Sequence, residues 1–358
     1  TYNLNFFTDK QEQTVEDVIK KLPGMEVDDN GTIKYLNKEI SKMLIDGDDL
    51  VDDKYKLLSQ NLDSDVLENI QVLRNYDDNP LRKKFGKGHE VALNLTIKDN
   101  KKNILFGKFG LSGGLPKFYQ INNNLGLLKE KVKLLNINEV NNIGNKLNPI
   151  PESKSVPLED IWSSNENKDV VDFNLLRNEI REIGFLENED YYRNESQLTS
   201  LTGSYNSKKN FSARFVSYFS NDFRFYDDQT SQRIFTYSEA INYTEANHID
   251  QTSPAFYSET ELKYYDQESN YVTFEGSFSQ FQEHFDQNIM LNEFLIDSDG
   301  KQRSQKYNAN VRWTYQPNEG FLLENYGYLT YINRSESYNG LNPLEEYSTS
   351  INQHTKAI

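Results

Sequence analysis

The chain has 358 residues and a formal net charge of −16, from 55 acids against 39 bases, so it lacks the clustered Lys and Arg that phosphate contacts to nucleic acid require. Tyr and Phe number 23 and 21 against 3 Met, with only 36% hydrophobic residues, so aromatic rings carry an unusual share of the apolar surface. A mean hydropathy of −0.79 excludes a helical membrane protein but not a barrel, whose strands hide one apolar residue in two.

No run approaches the roughly 18 apolar residues of a spanning helix. Cysteine is absent, which excludes thiolate catalysis, disulfides and cysteine metal sites and leaves the redox compartment open. The chain starts at Thr1 with neither a charged n-region nor an apolar h-region, and the expectation is that any signal peptide has been removed or was never present.

The first ordered unit is read from TVEDVIKKLPGMEV, Thr14 to Val27. Thr14 with Asp17 three residues on resembles a capping box, and Val15, Val18, Ile19 and Leu22 fall on one helical face. Pro23 and Gly24 end the helix, Met25 to Val27 reads as a strand, Asp29-Asn30-Gly31 as a turn, and Thr32 to Tyr35 as the returning strand. KMLIDGDD, Lys42 to Asp49, predicts a strand ending in a turn. DVLENIQVLRNY, Asp65 to Tyr76, predicts a short helix running into a strand. Asp77 to Glu90 reads as a polar connector, and EVALNLTIK, Glu90 to Lys98, as a further strand.

This order of helix, LPG, strand, "LIDG" strand, "ENIQVLR" and "EVALNLTIK" resembles the plug domain of TonB-dependent outer-membrane receptors over roughly the first hundred residues. The resemblance implies a small α+β plug at 1–98, followed at 99–358 by the N-terminal portion of an antiparallel transmembrane β-barrel. It implies an outer-membrane location in a Gram-negative bacterium, with outer-membrane lipid around the barrel. Implied partners are an energy-coupling protein on the periplasmic side, further outer-membrane proteins or lipoproteins, and a nutrient cargo that these residues do not identify. The family's coupling box lies ahead of the plug, and TYNLNFFTDK at Thr1 to Lys10 does not match it.

From Asn103 the texture changes to alternation, with Leu105, Gly107, Phe109 and Leu111 on one face and Phe106, Lys108 and Gly110 on the other. A turn at Gly113 to Pro116 leads to two strands, Lys117 to Leu127 and Lys131 to Asn141. Asn145 to Asp169 reads as a long loop, and Val171 to Phe185 as one amphipathic helix or a strand pair.

The clearest alternation comes later. Phe211, Ala213, Phe215, Ser217 and Phe219 oppose Ser212, Arg214, Val216 and Tyr218; Val272, Phe274, Gly276 and Phe278 oppose Thr273, Glu275, Ser277 and Ser279; Tyr307, Ala309, Val311, Trp313 and Tyr315 oppose Asn308, Asn310, Arg312 and Thr314. Turns are expected at Asp266 to Asn270 and Gln316 to Gly320, and a longer loop at Gln282 to Gln302. A soluble sandwich predicts the same alternation with its polar face outward; a barrel predicts the apolar face outward. About ten strands of about ten residues are expected between Asn103 and Tyr331, too few to enclose a plug, which needs about 22. A longer protein is therefore expected, since Ile358 ends a polar stretch with no closing aromatic strand.

His89, His248, His284 and His354 have no partner at metal or triad spacing and read as surface or pore-lining residues. HExxH, GxSxG and GxxxxGK[ST] are absent. Glu26 to Gly31 begins like a calcium loop, but its twelfth position is Asn37 rather than Glu. Asp46-Gly47-Asp48-Asp49 and Asp297-Ser298-Asp299-Gly300 read as turns. The sequence thus predicts no catalytic residues, no metal site and no cofactor. It leaves three functions open: a nutrient receptor and importer, a non-transporting structural accessory of an outer-membrane complex, and a soluble carbohydrate-binding module.

Overall fold

The computed structural model describes residues 1–4, 14–28, 31–51, 55–84, 88–144, 193–235, 240–266, 268–292, 294–341 and 346–357. The loop expected at Asn145 to Asp169 and the segment Val171 to Phe185 lie outside these residues, as do Lys10 and the residues before it down to position 5.

The first part is an α+β unit. In chain order it contains β1 (Tyr2–Asn3), α1 (Val15–Ile19), β2 (Met25–Val27), β3 (Ile33–Tyr35), β4 (Lys38–Glu39), β5 (Lys42–Ile45) and β6 (Asp48–Asp49). α2 (Tyr55–Asn61), β7 (Leu67–Tyr76), α3 (Pro80–Lys84) and β8 (Glu90–Ile97) complete it.

The capping box forms. Asp17 N donates to Thr14 Oγ1 at 3.3 Å and Thr14 N to Asp17 Oδ2 at 3.0 Å, satisfying two orphan donors at the start of α1. α1 ends at Ile19 with Lys20 as its C-cap, earlier than the stop expected at Pro23 and Gly24; Gly24 takes φ +76°, the left-handed conformation that aims the chain into β2. β2, β3 and β4 form one small sheet. β1, β7, β8, β5 and β6 form a second in that order, with β5 parallel to β8. Between them Val18, Ile19, Ile33, Ile40, Met43, Ile45, Leu58, Leu62, Ile70, Leu93 and Leu95 make a fully buried apolar core.

Two helices correct the sequence reading. α2 had no expected element, although Tyr55, Leu58 and Leu62 are buried at helical spacing. α3 occupies the stretch read as a connector: Asn79 Oδ1 accepts from Leu81 N at 2.9 Å, so Asn79 caps a helix whose first residue is Pro80.

The remainder is one antiparallel sheet of eleven strands. They are β9 (Ile104–Gly114), β10 (Phe118–Leu128), β11 (Val132–Asn141), β12 (Arg193–Asn206), β13 (Phe211–Phe235), β14 (Ala240–Thr252), β15 (Ala255–Tyr265), β16 (Asn270–Leu291), β17 (Phe294–Asn318), β18 (Phe321–Leu341) and β19 (Glu346–Ala357). Each strand pairs with its neighbour in sequence, except that β14 and β15 lie end to end between β13 and β16, interrupted at Ser253-Pro254. Pro254 has no N–H to give the ladder, which accounts for a break there. β9 and β19 are the two edges of the sheet among the described residues.

Several strands are far longer than the ten residues expected: β13 and β17 have 25, β16 has 22 and β18 has 21. The loop expected at Gln282 to Gln302 is therefore wrong; β16 and β17 stay paired from Asn270–Tyr315 through to Leu291–Phe294. Asp297-Ser298-Asp299-Gly300 is not a turn but part of β17, opposite Asp286 and its neighbours in β16. Here both faces are polar, so no alternation marks the strand, and the backbone ladder alone holds it. The polar stretch after Leu341 is likewise a strand, β19. The turn at Asp266 forms as expected, with Asp266 Oδ1 accepting from the backbone N–H of Glu268, Ser269 and Asn270. The turn expected at Gln316 to Gly320 is shorter, because β17 runs on to Asn318 and pairs there with Phe321.

The sheet is inside out. Phe215, Phe219, Phe274, Tyr307, Val311, Trp313, Leu329 and Tyr331 are exposed, at 37–45% each. Arg214, Ser220, Thr314 and Thr330, each next to one of these along its strand, are buried, as are Asp222, Glu259, Arg334 and Glu336 elsewhere on the sheet. Strand β12 alternates almost perfectly, with Asn194, Ser196, Leu198, Ser200, Thr202 and Ser204 buried and their neighbours turned outward. The outward run on β17 from Tyr307 to Tyr315 matches the ~9–11 residues that a tilted strand needs to span a bilayer.

Aromatic rows bound this band. Tyr205, Phe211, Tyr264 and Trp313 lie toward the end that carries the Asp266 and Asn318–Phe321 turns, while Phe256, Phe278, Tyr307 and Tyr331 lie farther from it, with Phe278 and Tyr307 ring centroids 4.7 Å apart. Trp313 and Tyr307 are about 20 Å apart along β17 at ~3.4 Å per residue.

Candidate functional site: the junction between the α+β unit and the sheet

The α+β unit lies against the polar, inward face of the sheet near its short turns. A small apolar contact joins Leu128, Leu135 and Ile137 to the unit's core, with Phe106 beside them. Phe106 fits because its strand partner is Gly126: a Cβ there would run into the ring. Everything else at the junction is polar or ionic.

The first cluster centres on Asp48. The β5–β6 turn at Asp46-Gly47 has positive φ at both residues, and it is pinned by Asn94 Oδ1 accepting from Gly47 N at 2.8 Å and Asp46 Oδ1 accepting from Ile97 N at 3.1 Å. This projects the buried Asp48 carboxylate onto the wall. It is met by Lys133 Nζ from β11, by Lys208 Nζ at 2.9 Å from the β12–β13 turn, and by Asn206 Nδ2 at 2.6 Å from the end of β12. Lys133 and Asp48 are 3% and 5% exposed, so this pair is effectively dry.

A second cluster centres on Asp78, which ion-pairs with Lys42 of its own unit and with Lys263 of β15 at 3.5 Å, and accepts from Tyr76 OH. Lys42 also reaches Asp49 at 3.1 Å. Lys263 reaches Glu261 at 2.9 Å; Glu261 lies 3.4 Å from Arg214 Nε, and Arg214 Nη1 lies 2.8 Å from Glu259. Burial alone would push the Asp78 carboxyl up, but Lys263 and Lys42 outweigh it and hold the group well below the usual carboxylate range. Tyr76 is pushed up, by burial first and by the Asp78 charge second.

Across both clusters the carboxylates Asp48, Asp49, Asp78, Glu259 and Glu261 are balanced by Lys42, Lys133, Lys208, Lys263 and Arg214. A narrow cleft of about 150 Å³ lies between the clusters, lined by Gly47, Tyr76, Ser204, Ser212 and Ala213 among others.

A third contact is made by α3. Asn79 Nδ2 donates to Thr314 Oγ1 of β17 at 2.7 Å, both residues being buried. Arg82 is held by Asp77 at 3.0 Å and approaches Glu324 of β18 at 3.9 Å. A fourth joins Asn124 Nδ2 to Asn61 O at 3.1 Å and Lys108 to Asp63 at 3.3 Å.

Such a junction depends on every pair being complete, because removing one partner of a buried pair leaves the other charge uncompensated. Above it the inward face stays polar: Ser196 Oγ donates to Asp222 at 2.5 Å, Arg224 pairs with Asp222 at 2.5 Å, and Arg334 pairs with Glu336 at 2.6 Å.

The residues singled out by sequence fall differently. Asp46 to Asp49 form the expected turn, but its Asp48 also carries the main wall contact, which the turn reading missed. His89 is exposed on the α+β unit. His248 lies between Asp227 at 2.6 Å and Asp250 at 3.5 Å on β14, and His284 lies 3.3 Å from Asp286 on β16. His354 is on β19. The structure brings none of these four together. Among the described residues no group of three or more His, Asp or Glu side chains could hold a metal ion, and no helix is long and apolar enough to cross a membrane.

No family model matches the chain, and no curated protein matches it. Among solved structures it is similar to the ferric yersiniabactin uptake receptor FyuA of Yersinia pestis, at 10% identity and a TM-score of 0.40, covering 99% of this chain and 60% of that one. It is also similar to the ferric-catecholate import receptor Fiu of E. coli K12 in its closed form, at 12% identity and a TM-score of 0.33, covering 99% of this chain and 62% of that one. A third is the ferric preacinetobactin receptor BauA of Acinetobacter baumannii, at 8% identity and a TM-score of 0.32, covering 99% and 60%. The chain thus spans about three-fifths of the length of these receptors.

Proposed function

We propose that this chain is the plug and adjoining wall of a TonB-dependent-type outer-membrane receptor that admits a nutrient through a plugged barrel. Residues 1–98 would be the plug and 99–358 wall strands, whose open edges at β9 and β19 would pair with further strands. The observation that carries this reading is the inverted sheet. Its apolar, aromatic-bounded face is exposed, and its polar face is buried against an ion-paired α+β unit. A soluble sugar-binding module would turn the polar face to water and would gain nothing from an apolar belt on the outside. The work of the junction is mechanical: displacing the plug exposes Asp48 and Asp78 to water and opens the polar lumen, with no bond made or broken. Outer-membrane lipid, a periplasmic energy-coupling protein and a small nutrient are the partners this role requires.

The test uses the native protein extracted from outer membranes and inserted into planar bilayers. The wild type should be closed to ions, and the Asp48→Asn/Asp78→Asn double variant should conduct. A wild type and double variant that are equally closed would overturn the gate and leave the structural-accessory role.

A further inference from the structure

The paired strands β16, β17 and β18 place their outward side chains in cross-strand rows that can be read upward from the aromatic row. Phe278, Tyr307 and Tyr331 form the first row. Gln280, Gln305 and Asn333 follow, with Gln305 Nε2 donating to Gln280 Oε1 at 2.9 Å. Next come Gln282, Arg303 and Ser335, and then His284, Lys301 and Ser337. Asp286, Asp299 and Asn339 follow these. Both acids are engaged, Asp286 by His284 and Asp299 by Asn339 at 3.3 Å.

Beside the two cationic rows the wall is interrupted at Ser253-Pro254. The outward residues Thr252, Pro254, Gln282, His284, Lys301 and Arg303, with Ser335 and Ser337, line a shallow depression of about 500 Å³, together with Glu283, Gln302 and Glu336 of the intervening row, whose alternation turns their side chains to the inward face. Arg303 and Lys301 are exposed, and among the described residues neither has a carboxylate partner. This differs from the inward face, where Arg214, Lys263 and Arg334 are all paired.

Arg303 stands about 14 Å along the strand from Tyr307 at ~3.4 Å per residue, and a barrel tilt of ~35–45° reduces that to about 10 Å in height. The cations therefore lie just outside the apolar belt, where a long basic side chain folds back toward the headgroup layer. Two unpaired cations, hydroxyl and amide donors and a recess share one level of a lipid-facing wall. That combination suits a phosphate whose acyl chains run down over Phe278, Tyr307 and Tyr331.

We infer that the depression around Arg303 and Lys301 is a binding site for the phosphate-bearing headgroup of a membrane lipid. This rests on the membrane reading of the sheet. Arg303 supplies a forked donor set to the phosphate oxygens, Lys301 a point charge, and Ser335, Ser337 and Gln282 neutral donors.

The test is native mass spectrometry of the full chain in nonionic detergent, with added phosphatidic acid or phosphatidylcholine. The wild type should retain one phosphatidic acid in preference to phosphatidylcholine. The Lys301→Gln/Arg303→Gln variant should lose about thirtyfold in phosphatidic acid affinity, the loss expected of two surface cations. Arg193→Gln, which removes an outward cation stacked over Phe225, should leave binding unchanged. Equal retention of the two lipids, or equal phosphatidic acid binding by wild type and double variant, would overturn the site while leaving the membrane reading intact. Inorganic phosphate binding as tightly as the lipid would overturn it in favour of a free-phosphate site. A wild type that takes up no detergent at all would defeat the membrane reading together with the site.

Discussion

The α+β unit and the sheet obey opposite burial rules within one chain. In the unit, Ile19, Ile33, Ile45 and Ile70 are fully buried and charge faces outward. In the sheet, Arg214, Asp222 and Glu336 are buried while Phe274, Val311 and Trp313 face outward. The same hydrophobic effect produces both patterns if the first has water outside it and the second has lipid outside and a polar, water-accessible lumen within. The junction is where the two rules meet: beyond the apolar patch of Leu128, Leu135 and Ile137, paired charge makes the contact.

This contrast can be broken at several strengths. Asp78→Asn leaves Lys263 and Lys42 without their shared carboxylate and should cost about 3 kcal/mol of docking, the lower end for a broken buried ion pair because Glu261 and Asp49 still hold the two lysines. Limited proteolysis should then cut the α+β unit away from the wall at lower protease than in wild type. Val311→Arg places a charge on the outward face of β17 and should cost about 2–4 kcal/mol in lipid, whereas Asn310→Arg on the inward face should cost about 0.5 kcal/mol or less. Denaturant unfolding in lipid vesicles would compare the two.

Thr314→Val removes the acceptor for Asn79 Nδ2 inside the junction and should cost about 1–3 kcal/mol, read from the same docking assay. Thr14→Ala breaks only the capping box and should cost about 1 kcal/mol, confined to thermal unfolding of the α+β unit with the wall untouched.

The junction is also sensitive to acid. Because the folded carboxyl of Asp78 lies below its unfolded value, its stabilisation is complete above the ordinary carboxylate value of about 3.9 and is lost as pH falls from there toward the depressed folded value. Acid should release the α+β unit over that range, and Asp78→Asn should flatten the response.

Much of this was legible in the residues, but unevenly. The capping box at Thr14 and Asp17 and the alternation of Tyr307 to Tyr315 are local signals and form at the expected residues, whereas α1 stops at Ile19, short of Pro23 and Gly24. Period-two alternation fixes which residues share a face and says nothing of which face meets water; that is resolved by buried polar residues such as Thr314 beside the exposed Trp313 and Arg214 beside the exposed Phe215. The paired halves of β16 and β17 beyond Gln282 read as a loop in sequence because polar side chains on both faces erase the period. The signal for α3 is its Asn79-Pro80 cap, which sits inside an otherwise polar, Gly-containing stretch. The candidate gate was illegible for a different reason: Asp48 and Lys133 are 85 positions apart, and Asp48 and Lys208 are 160 apart. No short window of sequence contains such a pair.

The most direct measurement uses the absence of cysteine, which lets a single introduced thiol carry a unique spin label. Labels placed one at a time from Tyr307 to Trp313 in the full chain, reconstituted in lipid vesicles, report collision with apolar oxygen and with a water-soluble nickel chelate. The account predicts oxygen maxima at 307, 309, 311 and 313 and nickel maxima at 308, 310 and 312. Nickel maxima at the odd positions, or no alternation at all, would contradict the inverted sheet and the membrane role drawn from it.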